Sequence, residues 1–434
     1  MVDRPSRPGA RWPKHESRPP GEGQALRFPG GGPIRALISH QQAAMHYLDY
    51  AATSAVRPPE VSEAVAAFLR DVGASPGRGG YGAAVQSGRI AFRCRRTLAK
   101  LLGLPGDPGR VAFMLNATHA LNTALHGILA QDDRVVATVY DHNSVLRPLD
   151  ALSRSRGVEV RLVPGSADGH LDLDALDRAL DGARLLVLNA ASNVLGTRLP
   201  IGDLTRRAHE AGALVLVDAA QSAGHLPGSP AEEGADIVAL TGHKGLLGPQ
   251  GVGALWVREG LQLNPLLCGG TGGDSTLRRM PDAYPDHLEA GTPNIPGIAG
   301  LLAGCAFLER EGIAGIHARE AGLKARLRDG LEQIAGVRVL SPSAPDGSAV
   351  VTFVSAHVTP GEIARRLDVE WGVMARAGLH CAPEVHRLLG TIESGAVRFS
   401  MGWKSTEEDV DRAVEGVEAI AAPRRFAAGT VGEP

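Results

Sequence analysis

Two stretches decide how this chain is read: Leu216-Val217-Asp218-Ala219-Ala220-Gln221 and, further on, Thr241-Gly242-His243-Lys244. In the first, an apolar run closes on an acid. In the second, a lysine follows another apolar run, Asp236–Leu240. Short apolar runs bounded by turn residues are the pattern of strands buried on both faces. Working outward, the pattern recurs at Val111–Leu115, Arg134–Val139, Val158–Val163, Leu185–Asn189, Leu214–Asp218 and Val252–Val257. Amphipathic stretches at Pro59–Val72, Ile90–Leu102, Leu173–Leu180 and Ile201–Ala211 predict helices. Alternating strands and helices imply an α/β fold with a mostly parallel seven-stranded sheet, covered on both faces.

After about residue 300 the pattern changes. Long helical stretches, Gly297–Glu311 and Glu320–Ala335, precede strands near Val337–Leu340 and Ala349–Val354 and helices at Pro360–Leu367 and Thr406–Ala422. This predicts a smaller α+β domain over residues 297–434, after a large domain over 59–296. A segment over 45–58 is expected to pack with the smaller domain. Residues 1–44 are rich in Pro, Arg and Gly and too poor in apolar side chains to repay ordering. Three readings stay open for them: a disordered tail, a translation start at Met45, or a basic arm.

The chain has 434 residues, 44% hydrophobic and 21% charged, with a net charge of −2. That balance favours neither a nucleic acid nor an anionic membrane as partner. No apolar run reaches the ~18 residues of a membrane span. Four cysteines, Cys94, Cys268, Cys305 and Cys381, form no C-x-x-C pair and no zinc-like spacing, so no metal is expected. Few cysteines in a long chain suit a reducing compartment, the cytoplasm.

In open α/β sheets ligands sit beyond the carboxyl ends of the strands, and the candidate residues fall there. Ala117 and Thr118 follow the first strand and open a helix, whose free N–H groups favour a phosphate; a plain helix cap reads equally. His142, in Tyr140-Asp141-His142-Asn143, follows the second strand and could lie flat on a ring or simply fill a surface site. Asn193, after the fourth strand, could donate to a ligand oxygen or build a turn. Asp218 could pair with a ring nitrogen, with Gln221 reaching a neighbouring oxygen. Lys244 could condense with an aldehyde once deprotonated, a state that a cationic site with His243 beside it favours. An amine for an aldehyde and an acid for a pyridinium are what pyridoxal 5'-phosphate needs from a protein.

Arg376-Ala377-Gly378-Leu379-His380-Cys381-Ala382-Pro383 adds a thiol between polar neighbours. Positive charge beside a thiol favours the nucleophilic thiolate, and Pro383 argues for a loop. Arg398, inside the alternating strand Ala396–Ser400, needs an anion: a substrate carboxylate or a structural partner.

Together these residues resemble the class V aminotransferase superfamily, and within it the cysteine desulfurases and selenocysteine lyases. The resemblance runs from about residue 46 to 422. It includes Tyr47–Thr53, Asn116–Asn122, Asp141-His142, Ser192–Thr197, Asp218–Gln221, Thr241–Lys244, Glu289–Asn294 and the short R-x-G-x-H-C-A pattern at Arg376–Ala382. It implies a fold-type I pyridoxal phosphate enzyme, as a homodimer. Thr118, Thr241 and His243 would hold the phosphate, with Thr292 reaching it from a second subunit. His142 would stack on the ring, Asn193 and Gln221 would contact its phenolic oxygen, Asp218 its nitrogen, and Lys244 would carry it. Arg398, with Arg376 nearby, would hold the carboxylate of L-cysteine, and Cys381 would take its sulfur and pass it to an acceptor protein or a small thiol. A selenocysteine lyase shares these residues. An aminotransferase or epimerase would not need Cys381, and a non-catalytic binding protein would need neither Asp218 nor Lys244.

Overall fold

The computed structural model describes residues 45–77, 79–273 and 276–421. The expected tail, 1–44, lies outside the described residues, as does 422–434. The strands are β1 (His46–Tyr47), β2 (Val111–Met114), β3 (Arg134–Thr138), β4 (Glu159–Val163), β5 (Leu185–Asn189), β6 (Leu214–Asp218), β7 (Ile237–Thr241), β8 (Gly253–Val257), β9 (Val337–Val339), β10 (Val350–Ser355), β11 (Val373–Met374), β12 (Arg376–Gly378) and β13 (Ala396–Ser400). The α-helices are α1 (Pro59–Ala67), α2 (Gly82–Leu101), α3 (Ala117–Ile128), α4 (Asn143–Arg156), α5 (Leu173–Leu180), α6 (Ile201–Glu210), α7 (Ile295–Glu311), α8 (Ile313–Glu332), α9 (Pro360–Trp371), α10 (Pro383–Leu388) and α11 (Glu407–Ala421).

Seven strands form the central sheet in the order β2-β8-β7-β6-β5-β3-β4. The pairs from β4 to β7 are parallel; β8 runs antiparallel to both β7 and β2. The chain steps outward from β3 to β4, then returns across β3 to β5, which opens a crevice at the carboxyl ends of β3 and β5. Strand side chains alternate between two cores. Leu186, Leu188, Val215, Val217, Val238 and Leu240 enter one, while Leu185, Val187, Leu216, Ile237 and Ala239 enter the other. Burial on both faces explains why these strands read as continuous apolar runs.

A third core lies under a four-stranded antiparallel sheet, β12-β13-β10-β9. It joins Phe353 and Phe399 to Leu327 of α8, Leu367 of α9 and Val417 of α11, and it includes Leu48. The amino-terminal segment belongs to this layer. β1 pairs with β11 in parallel, and Asp49 bridges to Ser400.

Two glycines set the height of the Lys244 loop. A Cβ on Gly224, whose φ is +85°, would lie 2.3 Å from the Gly245 carbonyl oxygen; one on Gly245 would lie 2.4 Å from the Ala223 carbonyl oxygen. The loops after β6 and β7 therefore touch backbone to backbone, which only glycine allows. Gly245→Ala is expected to destabilise the protein by about 1–3 kcal/mol through overpacking, and to lower cofactor occupancy by lifting Lys244. Urea-unfolding midpoints and bound-cofactor absorbance measure the two effects.

Candidate active site

All the candidate residues except Thr292 line one cavity of about 390 Å3 at the carboxyl edge of the central sheet. That volume lies within the usual range for small-molecule sites, roughly 300–1,000 Å3. β2 runs in the same direction as β7, so the amino end of α3, with Ala117 and Thr118, opens onto the same edge as Asp218 and Lys244. Thr292 is exposed and lines a different depression, with Glu289 and Asn294.

Lys244 borders the cavity, so it keeps some exposure. Desolvation nonetheless brings its amine down to about 8; Asp218 and Asp49 oppose the shift, while Arg398 and Arg376 add to it. Burial, rather than the cationic neighbourhood expected from the sequence, is thus the leading cause. His243 cannot be the cationic neighbour. Its imidazole is pushed down to about 4, first by burial and then by Lys244 itself, and its Nδ1 lies 3.1 Å from Thr53 Oγ1. The Asp218 carboxyl is raised by burial, against the Ala220 N–H and Lys244, which lower it. Its Oδ1 accepts from Ala220 N at 2.9 Å.

His142 caps α4: its Nδ1 accepts from Ser144 N at 3.0 Å and lies 2.9 Å from Ser144 Oγ. Burial, with Lys244, Arg398 and Arg147 adding, drives it to about 4. The ring is neutral, with its proton on Nε2. Ser144 Oγ in turn lies 2.8 Å from Thr118 Oγ1, so a residue absent from the sequence reading joins the ring to the helix end. Only a capping pattern could have signalled it. Asn193 Nδ2 donates to His380 O at 2.7 Å, and Gln221 Nε2 donates to Ala51 O at 2.9 Å. Each amide nitrogen keeps a second N–H for an oxygen in the cavity.

The two arginines already have an anion. Asp49 Oδ1 accepts from Arg398 Nη2 at 2.7 Å, and Oδ2 accepts from Arg376 Nε at 3.0 Å. Arg398 Nη1 donates to Asn193 O at 3.2 Å, while its Nε is buried without a partner. The structural partner left open for Arg398 therefore exists, yet both guanidinium groups also line the cavity. Asp49 was legible only as part of the Tyr47–Thr53 motif, since 349 residues separate it from Arg398.

Cys381 is exposed and lines the cavity. It and His380 take consecutive left-handed conformations, φ 56° and 52°, which cost roughly 1–2 kcal/mol per residue. The turn is clamped by Asn143 N donating to Cys381 O at 2.8 Å and by the Asn193 amide on His380 O. Cys381 does lie on a loop, the short turn between β12 and α10, and Pro383 ends it by starting α10, where its missing N–H costs nothing. One expectation needs correction. His380 supplies no positive charge: burial first, then Arg398 and His386, push it down to about 3. The guanidinium groups of Arg376 and Arg398 line the same cavity as Cys381.

These groups fit pyridoxal phosphate. The Thr241 hydroxyl and the Asn193 side-chain oxygen Oδ1 are buried without partners. Asp218 offers a carboxylate, Lys244 an amine of lowered pKa, and α3 an open amino end. Among the described residues, no group of three or more His, Cys, Asp or Glu could hold a metal.

Comparison with known proteins agrees with this chemistry. The aminotransferase class-V profile matches residues 46–413. The chain belongs to that family. A probable cysteine desulfurase of Methanothermobacter thermautotrophicus is 33% identical over 385 residues, covering 86% of this chain and 94% of that protein. A cysteine desulfurase of Gluconacetobacter diazotrophicus is 33% identical over 87% of this chain and 94% of its own length. The apo cysteine desulfurase structure from Thermococcus onnurineus superposes with a TM-score of 0.82 at 31% identity, covering 87% of this chain and 94% of that one. The family cofactor is pyridoxal 5'-phosphate.

A lysine condenses with an aldehyde only as the free amine. Capture of pyridoxal phosphate by the apoprotein, read as borohydride-trapped absorbance, should therefore rise as pH increases through about 8. Asp218→Asn removes a carboxylate that holds the amine's pKa up, so the midpoint should move to lower pH.

Proposed function

We propose that this protein is a pyridoxal-phosphate-dependent cysteine desulfurase that converts L-cysteine to L-alanine and takes the sulfur onto Cys381. The observation that carries the reading is one cavity lined by Lys244, Asp218, the Arg376–Arg398 pair and an exposed Cys381. An aminotransferase has no use for that thiol.

The chain's own groups have distinct tasks. Arg398 and Arg376, oriented from behind by Asp49, hold the substrate carboxylate. Lys244 takes the α-proton at Nζ and later returns one. Asp218 would pair with the cofactor nitrogen, His142 would lie against its ring, and Asn193 and Gln221 would offer their spare N–H groups to its phenolic oxygen. Ala117 N, Thr118, Thr241 and His243 would hold the phosphate. When bound, pyridoxal phosphate supplies an electron sink for the α-carbon. The Cys381 thiolate attacks the substrate sulfur. A sulfur–sulfur bond forms, the carbon–sulfur bond breaks, and its electron pair stays with the carbon skeleton, which is protonated to alanine. L-cysteine plus the Cys381 thiol thus gives L-alanine plus the Cys381 persulfide.

Further parts of the proposal follow from surface features. Thr292 is exposed away from the cavity, which suits a homodimer in which it reaches the second subunit's phosphate site. Cys381 and its neighbour Leu379 are exposed, so a sulfur-acceptor protein or a small thiol can approach the persulfide directly. All four cysteines are free thiols, in keeping with a cytoplasmic location. No helix among the described residues is long and apolar enough to cross a membrane.

Cys381→Ser should abolish alanine and sulfide formation from L-cysteine with a reductant present, while leaving cofactor absorbance unchanged. Unchanged alanine formation in this variant would refute the role. Parallel kinetics with L-selenocysteine separate a desulfurase from a selenocysteine lyase, and keto-acid formation would indicate an aminotransferase.

A further inference from the structure

Behind Cys381 lies a chain of polar groups that the reaction described above does not use. His380 Nε2 lies 3.4 Å from Arg376 O, and His380 Nδ1 lies 3.2 Å from His386 Nε2. His386 Nδ1 lies 2.8 Å from Thr391 Oγ1. The two imidazoles lie 5.4 Å apart at 31°, and His386 is fully buried. Burial keeps His386 down at about 4 and, with Arg398 and His386 adding, His380 at about 3, so each ring carries one proton at neutral pH.

The direction of every bond then follows. A carbonyl can only accept, so His380 Nε2 donates to Arg376 O, and its Nδ1 accepts. His386 Nε2 must donate to that Nδ1, which leaves its own Nδ1 to accept from the Thr391 hydroxyl. Every ring nitrogen is satisfied in this arrangement. The opposite one sets an unprotonated His380 Nε2 against a carbonyl oxygen. The backbone clamps at His380 O and Cys381 O restrain the main chain of the left-handed turn, and the relay restrains the buried His380 side chain that the same turn carries.

We propose that His386 and Thr391 are positioning residues for sulfur transfer: by locking His380 from behind, they hold the two-residue left-handed turn so that the Cys381 thiol faces the cavity. The proposal rests on Cys381 being the sulfur acceptor. It leaves substrate binding and proton abstraction to other residues.

The test uses the holoenzyme with L-cysteine and a reductant. His386→Phe keeps an aromatic ring and removes the donor. It should lower kcat roughly three- to tenfold, the effect of one lost hydrogen bond, with KM and cofactor absorbance little changed. It should also change by a similar factor the rate at which iodoacetamide labels the Cys381-containing peptide. His386→Gln returns an N–H donor near the position of Nε2 and should recover part of both rates. Thr391→Val should act in the same direction and more weakly, and it serves where His386→Phe does not fold. Wild-type kcat and labelling in His386→Phe, or in Thr391→Val where Phe does not fold, would overturn the proposal. So would equal impairment in the Phe and Gln variants, which marks a merely structural role. Labelling is read without substrate. Altered labelling beside a wild type that makes no alanine would sink the desulfurase reading, and with it the role in sulfur transfer, while leaving only the relay's hold on the thiol.

Discussion

A primary amine set deep at the edge of a parallel sheet governs this site. An amine must shed its proton to act as a nucleophile, and the protein eases that loss at Lys244 chiefly by withdrawing water. The same withdrawal penalises every other charge nearby. Asp218 is raised, Arg398 is lowered, and the imidazoles of His142, His243 and His380 are held neutral. Buried charge is tolerable only with a partner at hand. The neighbouring architecture follows from that need: Asp49 behind the arginines, the Ala220 N–H on Asp218, and hydrogen-bonded neutral rings.

Both layers of the fold contribute to meeting it. The central sheet supplies the lysine, the acid and the helix end, because parallel strands deliver successive loops to one edge. The antiparallel sheet supplies Arg376, Arg398 and, through the turn after β12, Cys381. Asn193 joins the layers, since its amide holds the His380 carbonyl while its own carbonyl accepts from Arg398. The thiol and the amine thus arrive from different layers, and polar bonds between the layers fix their relation.

Much of this was legible in the sequence, for physical reasons. β5 and β6 are sandwiched between two cores, so their apolar runs gave their limits to the residue, Leu185–Asn189 and Leu214–Asp218. Strand ends then pointed to the residues that share the cavity. Some helices were less legible. α4 carries Pro148 in its interior, which masks its periodicity, and α2 begins at Gly82 rather than Ile90 because its first turns are poor in large apolar residues. In the site, the hidden partners were those fixed by tertiary contact: Asp49 on two distant arginines, and Ser144 between two hydroxyl- or nitrogen-bearing neighbours. No local pattern encodes a contact across 349 residues. The sign of the local field was also hidden, since His380 beside the thiol looks cationic in sequence and is neutral once buried.

The pairing of β1 with β11 has a practical consequence for anyone handling the protein. Asp49 is delivered to the arginines by the first few described residues, through backbone bonds from His46 and Leu48 to Gly372 and Met374. The start of the described fold is therefore a working part of the catalytic pocket rather than dispensable trim. Truncation, proteolytic nicking or a fusion junction placed beyond His46 would strip the shared counter-ion from two guanidinium groups. The damage would appear as poor grip on amino-acid carboxylates, with the cofactor still seated.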